Sequence, residues 1–428
     1  MNYLCILFLI YGVLTSIWVF NKDRVYIFYY VSLFLYSFIP FAARLYNNSL
    51  ITTMSHVRIE NNGVLTQYVV YAILFFSFSL LFFTFIINRP IYKKNRFRIA
   101  IPDFKGGLFV YIIISILVLA YLTIQLVNKY SLLNYGNQSL VKGNIVWYLL
   151  LEYVSVFFVI DLFFFFDKRN IKINRWILLI IGCLQLLVLV VTSSKIGNRG
   201  ILIPGLMGFL FIVIDRMDFT IKLQPKQLKK VGKIVVGGLL IIGFSQFIRT
   251  NRGYDTFTNT ISLKALFSFF KLDTILFQDY TYPGNGLMFV MQNHLINPKF
   301  VAISNFCNTI FFLNYETVAG YISRIIAPNM WFGIGGYIGT ESFMGVGWLG
   351  VLVYPLLISV IWRMYYKSIM RTSNKRYRRF LGFLMVTFLC LNLVRGQSYL
   401  LIKASYMYFL PSILLFKLIH KTRSEETL

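Results

Sequence analysis

Acidic residues are scarce in this chain: fifteen Asp and Glu among 428 residues, against 42 Lys and Arg. Histidine occurs only at positions 56, 294 and 420, and cysteine only at 5, 183, 307 and 390, with no metal-ligand spacing in either set. Neither a zinc site nor a disulfide framework is implied. The sequence has no D-x-D pair of the kind that holds a metal-bound sugar nucleotide. It also lacks a G-x-x-x-x-G-K-[ST] loop, so ATP is not implied. The glycines of "GIGGYIG" (333–339) have no strand-turn-helix context, which removes a dinucleotide site. No metal and no cofactor are expected. Charge is short overall as well, at 13% of residues, where a soluble domain carries roughly a quarter.

What fills the chain instead is hydrocarbon. Hydrophobic residues make up 58% of it, and the mean hydropathy is +0.69. Apolar runs of about twenty residues recur from end to end, each long enough to cross ~30 Å of bilayer core. The expected fold class is an all-α polytopic membrane protein of about eleven spans. These lie near 2–20, 25–45, 67–88, 107–127, 145–166, 176–193, 200–214, 234–248, 339–362, 380–395 and 397–418. The first twenty residues have no basic n-region and no small-residue cleavage site, which predicts a retained span.

A net charge of +27 invites a nucleic-acid reading, but the placement of the charge opposes it. Six alternate segments, with Lys417 at the end of the last span, hold 28 of the 42 Lys and Arg. That is the distribution that orients a membrane protein, basic side in. The chain then divides into spans 1–8 (1–248), one outer loop (249–338), and spans 9–11 with a basic tail (339–428). The loop is about ninety residues long and rich in Phe, Tyr and Ile, and loops of that length usually carry function. Within it, 261–278 has the narrow polar stripe of a helix lying in the headgroup region.

Some basic residues run against the orientation rule. Lys195 and Arg199 sit in "SSKIGNRG" (193–200), between two greasy runs. The span after them has only fifteen residues, ~22 Å of helix, so the hairpin either thins the membrane or leaves its tip below the outer surface. Arg249 and Arg252 follow the next outward exit in "RTNRGYD" (249–255), and Arg395 ends another span on that side. Each could reach a headgroup phosphate; together they form an anion site for a lipid-linked phosphate or diphosphate. Arginine suits that task because its planar fork matches phosphate oxygens and keeps its proton. Among the acids, Glu152 and Asp161 lie inside a span, as functional groups or as members of ion pairs. Glu341 either caps a helix start or serves as a base or sugar-hydroxyl ligand. His294 and Asp279 are outer-loop alternatives for the same proton.

Three of these stretches resemble the O-antigen (Wzy-type) polymerases, which extend oligosaccharide repeat units of bacterial surface polysaccharides. They are "GNRG" (197–200) opening a short span, "RTNRGYD" (249–255) entering the loop, and "GGYIGTESFMGVGWLGVL" (335–352) leaving it. The resemblance implies a metal-independent glycosyltransferase of GT-C-like architecture in the bacterial inner membrane, working on the periplasmic face. Its substrate would be an undecaprenyl-diphosphate-linked oligosaccharide, with a chain-length regulator and a flippase as membrane partners. Arg199, Arg249, Arg252, Lys195 and Arg395 would bind diphosphate, and Glu341, His294 or Asp279 would take the proton. A ligase of finished glycan, or a flippase or exporter of lipid-linked sugar, are the competing readings.

Overall fold

The computed structural model describes residues 2–46, 62–88, 107–129, 145–166, 175–196, 203–217, 232, 278–310, 315–326, 336–371 and 375–419. Among these residues the regular structure is entirely helical, with no strand. In chain order the first helices are α1 (Asn2–Lys22), α2 (Tyr26–Tyr46), α3 (Asn62–Asn88), α4 (Gly107–Lys129), α5 (Ile145–Phe166), α6 (Arg175–Ile196) and α7 (Ile203–Met217). Four shorter ones follow: α8 (Gln278–Gln292), α9 (Pro298–Thr309), α10 (Val318–Ile326) and α11 (Ile338–Val346). The chain finishes with α12 (Gly350–Arg371), α13 (Lys375–Leu384), α14 (Leu391–Arg395), α15 (Tyr399–Ala404) and α16 (Leu410–Ile419). π-helical stretches, Met385–Cys390 and Ser405–Phe409, interrupt the last two spans.

Nine of the described helical segments are long and apolar enough to cross a membrane. Their bounds fall within five residues of those expected from the apolar runs, except that α12 continues to Arg371, nine residues beyond the expected end at 362. Side-chain exposure fits the same conclusion. Helix α1 presents Leu4, Ile6, Leu7, Ile10 and Leu14 outward, and α4 presents Phe109, Ile116, Leu117, Ile124 and Val127. Such continuous apolar faces suit lipid and would be costly in water. The protein is a polytopic helical membrane protein. The short span expected at 200–214 is α7, with Pro204 in its first turn, where a missing N–H costs nothing. Pro204 therefore starts the helix rather than kinking it. The span expected at 234–248 and the polar-striped segment 261–278 fall outside the described residues.

The chain forms two compact units. One holds α4–α7 and the residues from Ser405 on. Its core is an aliphatic seam of Leu119, Leu122, Leu151, Val154, Val188 and Leu189, closed by Trp147 and Phe158. The other holds α1–α3 and α8–α15. Here aromatic residues dominate, with Tyr26 stacked on Phe83 and Tyr30 on Phe76, and edge-to-face pairs from Phe8 to both Phe34 and Phe76.

A proline shapes this second core. Pro40 lies inside α2 and carries no N–H, so the carbonyl four residues earlier, at Tyr36, loses its helical partner. The Tyr68 hydroxyl of α3 supplies the substitute, donating to Tyr36 O at 3.3 Å and to Ser37 O at 3.0 Å. Helix α8 packs into the same place. Every residue from Pro283 to Met291 is buried, against α2, α3 and α11.

Helix α11 is held from several sides. Tyr337, just before it, shares a 2.7 Å hydrogen bond with Ser37 of α2. The Tyr71 hydroxyl of α3 pairs with Ser342, and Asn297 N–H donates to Met344 O at 2.8 Å. The exit needs glycine twice. Gly347 has φ +61°, the left-handed region that other residues enter at a cost. At Gly350 an added Cβ would stand 2.5 Å from the Ser342 carbonyl and 2.8 Å from the Tyr71 hydroxyl. Gly350→Ala should therefore destabilise the protein by roughly 1–3 kcal/mol, as overpacking of a tight contact does. Thermal unfolding in detergent measures this, and an unchanged midpoint would contradict the packing described.

Candidate functional site

Glu341 is the best-organised polar group in the described residues. It lies in the first turn of α11 with none of its side chain exposed. Four donors from three other segments reach its carboxylate. Asn305 Nδ2 of α9 donates to Oε1 at 2.6 Å, and the Tyr354 hydroxyl of α12 donates to Oε1 at 3.3 Å. Ser398, in the turn between α14 and α15, gives its hydroxyl to Oε1 at 2.6 Å and its backbone N–H to Oε2 at 2.9 Å. All four donors are uncharged, and Glu341 has no salt-bridge partner among the described residues. None belongs to its own helix, so the side chain ties separate segments together and does not hydrogen-bond the helix start. The helix dipole still favours its charge.

The distribution of donors is uneven. An ionised carboxylate offers about four lone-pair sites, two on each oxygen. Oε1 receives three donors and Oε2 only one. Oε2 thus retains capacity for another donor. Beside Glu341 lies a small void bordered by Thr340, Tyr337 and Gln397, with Gly286 of α8 and Ala319 and Ile322 of α10 closing it. Its volume is about 10 Å³, room for roughly a single water molecule.

The turn that carries Ser398 also carries Arg395, which is half-buried. Two further contacts fix this turn. A Cβ at Gly336 would come within 2.7 Å of the Arg395 carbonyl, so the two backbones touch. Gln397, with its amide oxygen facing the available donors, accepts from Val318 N–H at 2.5 Å and Ala319 N–H at 3.2 Å, closing the start of α10. The Glu341 carboxylate of α11 is thereby tied through Ser398 to the turn that carries Arg395, 54 positions away in sequence.

The other residues singled out by sequence are placed as follows. His294 follows α8 and is exposed, with φ +47°, and its N–H returns to Met291 O at 3.3 Å. It forms a left-handed helix end, and α9 runs from near it to the Asn305 that bonds Glu341. Asp279 falls in the first turn of α8 and Lys195 in the last turn of α6, both with side chains outside the described set. Arg199, Arg249 and Arg252 lie outside the described residues. The intramembrane acids find phenol partners. Asp161 Oδ1 accepts from the Tyr111 hydroxyl at 2.7 Å, and Glu152 pairs with Tyr408. For Asp161 the ion pair considered from sequence is replaced by this hydrogen bond, among the described residues.

Asn305, Tyr354, Ser398 and Thr340 were not singled out by sequence. Only Ser398 had a usable signal, its place beside Arg395 in an outward turn. Asn305 lies in "ISNFCNT", where nothing local separates it from Asn308, which instead donates to Ser304 O on its own helix. Compared with family models, curated proteins and solved structures, the chain matches none of them.

Proposed function

We propose that this protein is a polymerase of undecaprenyl-diphosphate-linked oligosaccharide repeat units, a GT-C-like glycosyltransferase acting at the periplasmic face of a bacterial inner membrane. The observation that carries the reading is the buried Glu341 carboxylate, fixed by four neutral donors and sharing its supporting turn with Arg395. A general base must be held in place with an acceptor oxygen free for the incoming proton. Oε2 has that free capacity.

The reaction has simple electron accounting. An acceptor sugar hydroxyl forms the new bond to the anomeric carbon of the growing glycan, and its proton passes to Glu341. The bond from that carbon to the carrier diphosphate breaks, and its electron pair leaves on the phosphate oxygen. Arg395, with Arg199, Arg249 and Arg252, stabilises the charge that develops there, as fixed cations do at other leaving groups. Their guanidinium groups take the part that a divalent ion plays elsewhere.

A deletion strain tests this reading against its rivals in one gel. Loss of a polymerase leaves surface lipid capped with a single repeat. Loss of a ligase leaves uncapped lipid and carrier-linked polymer, and loss of an exporter traps the repeat unit on the cytoplasmic leaflet. Either of the last two outcomes refutes the proposal.

A further inference from the structure

Thr340 stands next to Glu341 in the chain and borders the same void. It is 4% exposed, yet its hydroxyl has no hydrogen-bond partner among the described residues. Some helical threonines elsewhere in the protein behave differently, although the buried hydroxyls of Thr192 and Thr281 also have no partner among the described residues. Thr84, Thr309 and Thr387 each return their hydroxyl to the carbonyl four residues earlier, at 2.7–2.9 Å. Ser342, two residues on, donates to the carbonyl three residues earlier, Gly339 O, at 2.8 Å. A buried hydroxyl without a partner costs ~1–3 kcal/mol, and native proteins keep few of them.

Two residues with unused hydrogen-bonding capacity therefore border one void: Glu341, whose Oε2 has an acceptor site left, and Thr340, whose hydroxyl has no partner among the described residues. Between them there is space for about one oxygen-sized group. A carboxylate can only accept, whereas a hydroxyl can donate. An alcohol O–H satisfies both, donating to Oε2 while its lone pair accepts from Thr340. Of the rest of the lining, Ala319, Ile322 and Tyr337 offer nonpolar surface to C–H groups, and Gln397 adds a polar amide.

We propose that Thr340 and Glu341 Oε2 form a subsite for a single hydroxyl of the acceptor sugar, with Thr340 binding that oxygen and so selecting which hydroxyl is presented. This rests on the polymerase reading and deepens it. Because the void admits one hydroxyl and no ring, the acceptor enters by one protruding O–H while the body of its sugar stays outside. Thr340 thus acts on acceptor binding and regiochemistry, and Glu341 on the proton.

The test uses the full-length protein in membranes, with the host's own lipid-linked repeat unit as substrate, and compares Thr340→Val with Thr340→Ser. The valine variant keeps the shape and loses the hydroxyl. It should raise the KM for the repeat unit about tenfold, the worth of one neutral hydrogen bond, with kcat within about threefold. Serine should restore the KM. An unchanged KM in Thr340→Val, or a fall in kcat alone, overturns the subsite while leaving the polymerase reading intact. Release of free oligosaccharide by the wild-type protein, with no chain extension, would mean that water occupies the void, and would also overturn it. The separate failure, that of the polymerase reading itself, shows as a deletion strain whose surface polysaccharide is unaltered.

Discussion

Glu341→Gln should abolish chain extension, lowering polymerisation by about 10²–10⁴-fold, the usual contribution of a positioned acid or base. Glutamine keeps the size of the side chain and an acceptor oxygen, so the donors from Asn305, Tyr354 and Ser398 retain part of their bonding. What it cannot do is take up a proton. The variant should therefore stay in the membrane at near wild-type level while surface lipid carries single repeats. Glu341→Ala is the contrasting case. It leaves four partly buried donors without their acceptor, at a cost of up to ~1–3 kcal/mol each, and should lower protein level as well as activity. Wild-type polymer length in Glu341→Gln would remove Glu341 as the base and leave it a structural tie.

Arg199→Ala has the second largest expected effect. A fixed donor aimed at developing negative charge is worth about 10²–10³ in rate, and chain extension should fall by that factor with insertion unaffected. Arg199→Lys keeps the charge and loses the planar fork, so it should recover only a small part of the activity. Normal modal chain length in the alanine variant would refute the assignment. Full rescue by lysine would show that charge alone matters and that the two-pronged phosphate contact is not used.

The spans were legible because a bilayer imposes length and apolarity on a continuous stretch of chain. The bounds of α4, α5 and α6 follow directly from where their apolar runs meet Lys, Arg or Asn. Helix α8 was not legible in this way. Its sequence, "QDYTYPGNGLMFVMQ", mixes Pro, Gly, Asn and Tyr, and its burial depends on neighbours far away in the chain. Pro40 of α2 faces its Gly284, a fit that no local pattern reports.

The site shows the same division. Glu341 was picked out as a rare acid at the mouth of a glycine-rich exit, and Arg395 as a cation on the unexpected side. Nothing in the sequence says that one turn supports both, because that depends on Gly336 touching the Arg395 carbonyl and on Ser398 reaching Glu341. Thr340 is harder still. Its interest lies in a bond it does not make, which only coordinates reveal.

The groups that grip Glu341 come from positions 305, 354 and 398. Engineering has to respect that scatter. Grafting the 249–338 segment of a related protein onto this scaffold would bring in a foreign residue at 305 while leaving 354 and 398 native. The carboxylate would then lose its setting even if the new loop folded well. Recombinants that transfer the loop together with its exit helix and the 395–398 hairpin tip should be the ones that work.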